Sequence, residues 1–200
     1  MMRRTALKSL QVKAATWAAF AVMLLLTGCG GSLYKVKPAI DAPVSEKAGA
    51  MDAGGLHLRA APLLTDEESQ ELFESNLPLA GLLPVRVELV NSSSAPVDLK
   101  RARFRLHDSE GREWKSRTPK QAVARILDFN EVTLYNPNSR KQFEEDFRAH
   151  ALQTDTPLAA GQQRQGLIFF QTPKKEKIEG PRGLVLTIEK IPQPLEVRLN

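Results

Sequence analysis

Few side chains in this 200-residue chain are of the kinds that make and break bonds, and they are widely spaced. There is one cysteine, Cys29, and there are three histidines, His57, His107 and His150. An ionised thiol is a nucleophile and an acceptor for alkyl or acyl groups, so Cys29 is the one position for sulfur chemistry. A metal site needs several ligands gathered by a turn or a helix. The histidines instead stand on three different expected elements. The best local grouping, Asp146 with His150, is one helical turn apart, a spacing that suits a surface pair supporting a helix. No Gly-x-Ser-x-Gly elbow and no phosphate-cradling glycine loop occur. The run Glu144-Glu145-Asp146 reads as a solvated helix face, because paired carboxylates act on glycosides only across a defined cleft. The sequence therefore nominates no catalytic residue, no metal ligand and no cofactor.

The remaining concentration of chemistry is basic. Lys100, Arg101, Arg103 and Arg105 precede a hairpin, and Arg112, Lys115 and Arg117 follow it. Arg103 and Arg105 share the outward parity of a strand, and Lys115 is expected across from Arg105. Like charges directly opposed cost stability, and an anionic neighbour would offset that cost. Arg101, Arg103, Arg105 and Lys115 are thus a candidate patch for anionic headgroups, glycans or an acidic protein. The competing reading is an ordinary polar outer face balanced by Glu110, Glu113 and the third expected helix. Aromatics of the kind that stack on bases are missing from this face, which excludes nucleic acid as a partner.

The context of Cys29 gives it a specific chemistry. Arg3, Arg4, Lys8 and Lys13 form a basic amino terminus, and Ala14 through Leu26 form an apolar run of about thirteen residues. Such a run fits an export signal and falls short of the ~20 residues that span a bilayer. The ending Leu26-Thr27-Gly28-Cys29 resembles the lipobox of bacterial lipoproteins. The resemblance implies that residues 1–28 are a signal peptide, that the Cys29 thiol receives a diacylglycerol, and that the new amino terminus is acylated. Gly30, where an Asp would retain such a protein at the inner membrane, implies an outer-membrane anchor with the body in the periplasm. Arg3-Arg4 partly resembles a twin-arginine motif, but Ala6 stands where that motif prefers Phe, and the general-secretion reading is preferred.

Removal of the signal changes the electrostatics. Of 28 Lys and Arg, the four before Cys29 leave with it, so 24 face 23 Asp and Glu and the formal charge drops from +5 to +1. A globally basic surface is therefore not a property of the mature chain. With Cys29 acylated no thiol remains for a disulfide, and the body must be held by its core alone.

Residues 29–55 are rich in Gly, Ala, Pro and Ser without a sustained period. They read as a flexible tether reaching about 25–30 Å. Residues 56–200 are expected to form one domain. Val85, Val87 and Leu89 alternate with Arg86 and Glu88 in a strand. Leu56 to Arg59, Leu184 to Glu189 and Leu195 to Leu199 read likewise. In Leu167-Ile168-Phe169-Phe170 both parities are apolar, which predicts a strand covered on both faces. The parity change between Leu99 and Ala102 implies a bulge or a break. Asp108-Ser109-Glu110-Gly111 has type I turn chemistry. With Gly111 left-handed, Leu106 faces Trp114 and His107 faces Glu113. Capping-box spelling at Thr65, Thr118 and Ser139 predicts three helices. The latter two lie in a helical insertion over about 118–153. Phe129, Leu134 and Tyr135 lie between them, next to an exposed turn at Tyr135-Asn136-Pro137-Asn138.

These elements predict a mainly β, antiparallel β-sandwich with helical insertions. The order Leu83 to Asn91, a Gly-bearing hairpin, then Leu158-Ala159-Ala160-Gly161 leading into Gly166-Leu167-Ile168-Phe169-Phe170, resembles exported immunoglobulin-like accessory domains of bacteria. The resemblance implies an immunoglobulin-like fold more than an activity. The functional expectation is a non-catalytic, membrane-anchored envelope lipoprotein that binds a protein partner. The alternative is a carrier or sensor of a small or lipidic ligand held in a cavity between sheet and helices.

Overall fold

A computed structural model describes residues 34–39, 44–45 and 48–200. The lipobox, Cys29 and the export signal lie outside these residues. The described body is mainly β, with eight antiparallel strands and three helices. The strands are β1 (Gly49–Ala53), β2 (Leu56–Pro62), β3 (Leu82–Asn91), β4 (Arg103–His107), β5 (Glu113–Arg117), β6 (Gln163–Gln171), β7 (Val185–Glu189) and β8 (Leu195–Arg198). The helices are α1 (Asp66–Phe73), α2 (Pro119–Phe129) and α3 (Pro137–His150).

The strands are ordered β1-β2-β3-β6-β5-β4-β7-β8. The corner of this sheet is β5. Its Glu113 and Trp114 pair with His107 and Leu106 of β4, while Lys115 to Arg117 pair with Gln171 to Phe169 of β6. The sheet curls until β1 lies against β8. A Cβ on Gly49 would sit 2.0 Å from the carbonyl oxygen of Arg198, so only glycine permits this approach.

Two apolar cores follow from the strand periodicity. Inside the curled sheet lie Val85, Val87, Leu89, Leu106, Trp114, Leu186, Ile188, Leu195 and Val197. On the outer face of β3 and β6, Leu82, Leu167 and Phe169 meet Phe73, Val123, Ile126, Phe143 and Phe147 of the helices. The doubly apolar segment of β6 therefore serves both: Ile168 and Phe170 point to one core, Leu167 and Phe169 to the other. In β3 the same double covering leaves Glu88 buried, where it accepts from Gln163 Nε2 at 3.1 Å and lies 3.7 Å from Arg59.

The capping boxes at Thr65 with Glu68 and Thr118 with Gln121 both form. The third helix starts earlier than its Ser139 spelling predicts. Asn136 caps it, its side chain accepting from the Asn138 N–H, and Pro137 occupies the first turn, where its missing N–H costs nothing. The break between Leu99 and Ala102 is a turn closed by the Ala102 N–H on the Leu99 carbonyl.

The tether expected over residues 29–55 is corrected on its described part. Gly49–Ala53 is a strand, paired in register with β2 from Gly49 opposite Ala60 to Ala53 opposite Leu56. Val44 is buried, and the Arg59 guanidinium donates to the carbonyls of Val44 and Ser45, each at 3.1 Å. Tyr34 is buried as well, stacked on Phe143 with ring centroids 4.7 Å apart. Backbone bonds and single anchoring side chains hold this stretch, and neither leaves a periodic apolar pattern.

Candidate functional site

The predicted basic face begins on the β4–β5 hairpin, which forms as its residue types require. Leu106 opposes Trp114, His107 opposes Glu113, and Gly111 has φ +73. Asp108 organises the turn. It is buried, and its carboxylate accepts from the N–H groups of Glu110 and Arg112, from Arg112 Nε at 2.8 Å and from Trp114 Nε1 at 3.0 Å. Burial pushes the Asp108 carboxyl up, but the bonds from the Trp114 indole and from Arg112 outweigh it and hold the group below its ordinary value.

The four residues of the candidate patch divide. Arg105 is neutralised by Glu189 at 3.2 Å and Glu113 at 3.4 Å. Arg103, opposite Glu189 in the ladder, shares its outward face and forms no ion pair among the described residues. Arg101 is exposed in the turn before β4 rather than on a strand. Lys115 does not oppose Arg105: at that residue β5 has crossed to β6, and Lys115 stands opposite Gln171. Among the described residues, exposed charge outside any ion pair therefore rests on Arg101, Arg103 and Lys115, while Arg105 is tied into the hairpin.

The histidines serve packing and pairing. His57 bonds Asp52 across the β1–β2 hairpin, and His107 lies 3.9 Å from Glu113. His150 is not the surface partner of Asp146. It is buried against Phe73, and its Nε2 donates to the Lys37 carbonyl at 2.7 Å, while Asp146 accepts from Gln142. Among the described residues no three His, Cys, Asp or Glu are grouped to hold a metal ion, and no helix is long and apolar enough to cross a membrane.

The space between helices and sheet is filled by aromatic rings. Phe147 packs on Phe73 at 4.5 Å, on Phe143 at 5.1 Å and on Phe169 at 5.4 Å, and Tyr34 extends the row over Phe143. At one edge of this layer Arg86, His150, Gln165, Gly166, Lys37 and Glu71 are among the residues lining a cleft of about 240 Å³. Gln165 contributes a buried Oε1 that no donor among the described residues reaches. The cleft exists because α3 ends against β6: a Cβ on Gly166 would meet the Leu152 backbone at 2.5 Å. Sequence reasoning missed this cleft, whose walls come from five separated segments.

The surface also exposes Tyr135, at 92%, and Phe129, at 40%. Leu134, between them, packs inward against the helical core.

No family model and no curated protein matches the chain. Among solved structures, a conserved hypothetical protein from Bacillus anthracis aligns over 84% of this chain and 97% of its own. The identity is 12% and the TM-score 0.37, too distant a likeness to carry an argument.

Proposed function

We propose that the chain is a bacterial envelope lipoprotein, anchored through a lipid on Cys29, whose body acts without catalysis as a protein-binding accessory subunit. The observation that carries the reading is the filled aromatic layer between helices and sheet. Ligand pockets for drug-sized molecules usually enclose about 300–1,000 Å³. The cleft at the edge of the layer holds about 240 Å³, so recognition falls to the surface. Arg101, Arg103 and Lys115 supply charge for an acidic partner. The lipobox spelling supports the anchor, and Gly30 after it supports the outer membrane with the body in the periplasm.

The immunoglobulin-like reading of the body has support in the strand order. Taking β2 to β8 as strands A to G, the run β2-β3-β6-β5 is A-B-E-D and the run β4-β7-β8 is C-F-G. That is the order of a constant-type immunoglobulin sandwich. The helices α2 and α3 are then an insertion between strands D and E, and β1 is an additional edge strand.

The test is cross-linking in intact cells followed by purification of the lipidated protein, beside a variant carrying Arg101→Glu, Arg103→Glu and Lys115→Glu. A near-stoichiometric envelope protein that the variant loses supports the reading. Recovery of the lipoprotein alone from both would overturn it in favour of the second reading, a small ligand in the Arg86–His150 cleft. The unpartnered Gln165 Oε1 favours that second reading, since it would accept from a ligand's donor. Cys29→Ala should leave the precursor uncleaved and unacylated; normal membrane attachment of that variant would remove the anchor.

A further inference from the structure

We infer that the loop between α2 and α3 is the membrane-facing end of the domain, with Phe129 and Tyr135 seated at the headgroup–acyl boundary of the bilayer that holds the lipid. The inference rests on the acylation of Cys29 proposed above. Five residue steps separate Cys29 from Tyr34, and a fully extended chain of that length reaches at most about 18 Å. Tyr34 is built into the body. Its ring lies flat on Phe143 at 4.7 Å, and its hydroxyl accepts from Asn130 Nδ2 at 3.0 Å. Behind it, the Lys37 N–H donates to the Leu72 carbonyl at 2.9 Å and the Lys37 carbonyl accepts from His150. The chain therefore leaves the body beside Asn130, the cap of α2 and the first residue of the loop.

A compact body of this size has a radius of gyration of roughly 15 Å, so such a leash is shorter than half its width. The domain cannot swing to present its far side to the membrane. The loop beside the exit point carries Tyr135, the most exposed large apolar side chain among the described residues, and the half-exposed Phe129 ends α2 just before it. A tyrosine ring, apolar with a hydroxyl at one end, favours the headgroup level of a bilayer, and Phe129 would add apolar area on its acyl side. The chain joins the body against Asn130, at the start of the loop whose ends bear the exposed aromatics, and the bilayer is the one apolar phase that the covalent lipid guarantees within reach.

The experiment uses the full chain matured in a lipoprotein-processing host and reconstituted into phosphatidylethanolamine–phosphatidylglycerol vesicles. Mass analysis of the amino-terminal peptide first establishes whether Cys29 is acylated. A single cysteine is then introduced by Tyr135→Cys, or by Ser94→Cys in the turn after β3, and labelled with an environment-sensitive fluorophore. The inference expects a blue-shifted emission and loss of quenching by aqueous iodide at position 135, and neither change at 94. An acylated, vesicle-bound protein whose label at 135 is quenched as fully as that at 94 would overturn the inference and leave the lipoprotein reading intact. An unacylated Cys29 would overturn both.

Discussion

The indole N–H of Trp114 donates to Asp108 Oδ2 at 3.0 Å, joining the interior of the curled sheet to the tip of the β4–β5 hairpin. Trp114 is an inner-core residue, and Asp108 is the residue that closes the turn. The same carboxylate holds two backbone N–H groups and the Arg112 guanidinium. Replacing it by alanine leaves buried donors without an acceptor, which costs about 1–3 kcal/mol for each such group. Asp108→Ala should therefore lower stability by about 3 kcal/mol in urea titrations; a change within error would show that water replaces the carboxylate.

The pH dependence follows from the same group. Its carboxyl is held below the ordinary value of 3.8, first against burial and then by the Trp114 and Arg112 bonds. The folded state thus prefers the ionised form. That contribution is present in full above the unfolded value and is lost as pH falls through the lowered folded value. The stability difference between wild type and Asp108→Asn should be constant near neutrality and shrink as pH drops below about 4. A difference that stays constant down to the acid transition would assign the stabilisation to geometry alone.

Tyr34 should matter more than its place before an apparent linker suggests. Tyr34→Ala removes a buried ring from the Phe143 stack and the acceptor of Asn130. The expected loss is about 2–3 kcal/mol, on the scale of aromatic truncations in cores. Amide exchange should rise in residues 35–37 as well, because their backbone bonds to Glu74, Leu72 and His150 depend on the same strap. Unchanged melting and exchange would return residues 34–39 to the role of a plain tether.

Gly166→Ala should destabilise by about 1–3 kcal/mol, the usual cost of overpacking. The added methyl would stand 2.5 Å from the Leu152 backbone, which cannot rotate away as a side chain would. Gly161→Ala has open space but φ +72, so its cost should come from conformation alone, about 1 kcal/mol. Equal melting temperatures for the two variants would contradict this ordering.

The two arginines of β4 should respond differently to charge reversal. Arg103 forms no ion pair among the described residues but stands opposite Glu189, so Arg103→Glu should cost only about 0.2–0.5 kcal/mol, the lower end for like charges opposed across strands. Arg105→Glu places a third carboxylate between Glu113 and Glu189. Its cost should approach 1 kcal/mol and fall in 1 M salt, because exposed charges are screened. Loss of the order between them in thermal melts would count against the pairing of Arg105.

Much of the β framework was legible because local chemistry and burial agreed. The alternation of Val85, Val87 and Leu89 gave the inward face of β3. The doubly apolar run from Leu167 to Phe170 announced a strand covered on both sides. Asp108 and Gly111 together spelled the hairpin and its register. These signals are short-range: the spacing of side chains along one element suffices to state them. The capping boxes at Thr65 and Thr118 are of the same kind, whereas at Ser139 a competing cap, Asn136 before Pro137, lay three residues upstream and prevailed.

The sequence by itself determined a basic amino terminus followed by an apolar run ending at Cys29, a single thiol, a near-neutral balance of charge after Cys29, and alternating strands that had to fold into an antiparallel core. Only the tertiary structure decided that residues 34–39, 44–45 and 48–53 are built into the body, since one aromatic stack and a few backbone bonds hold them and no repeat encodes such contacts. It also decided that β5 changes partner at Lys115, which separates that lysine from Arg105, and that His150 reaches the Lys37 carbonyl across 113 positions of chain. Pairing between segments far apart depends on which backbones come to lie side by side, and that is set by closure of the whole sheet.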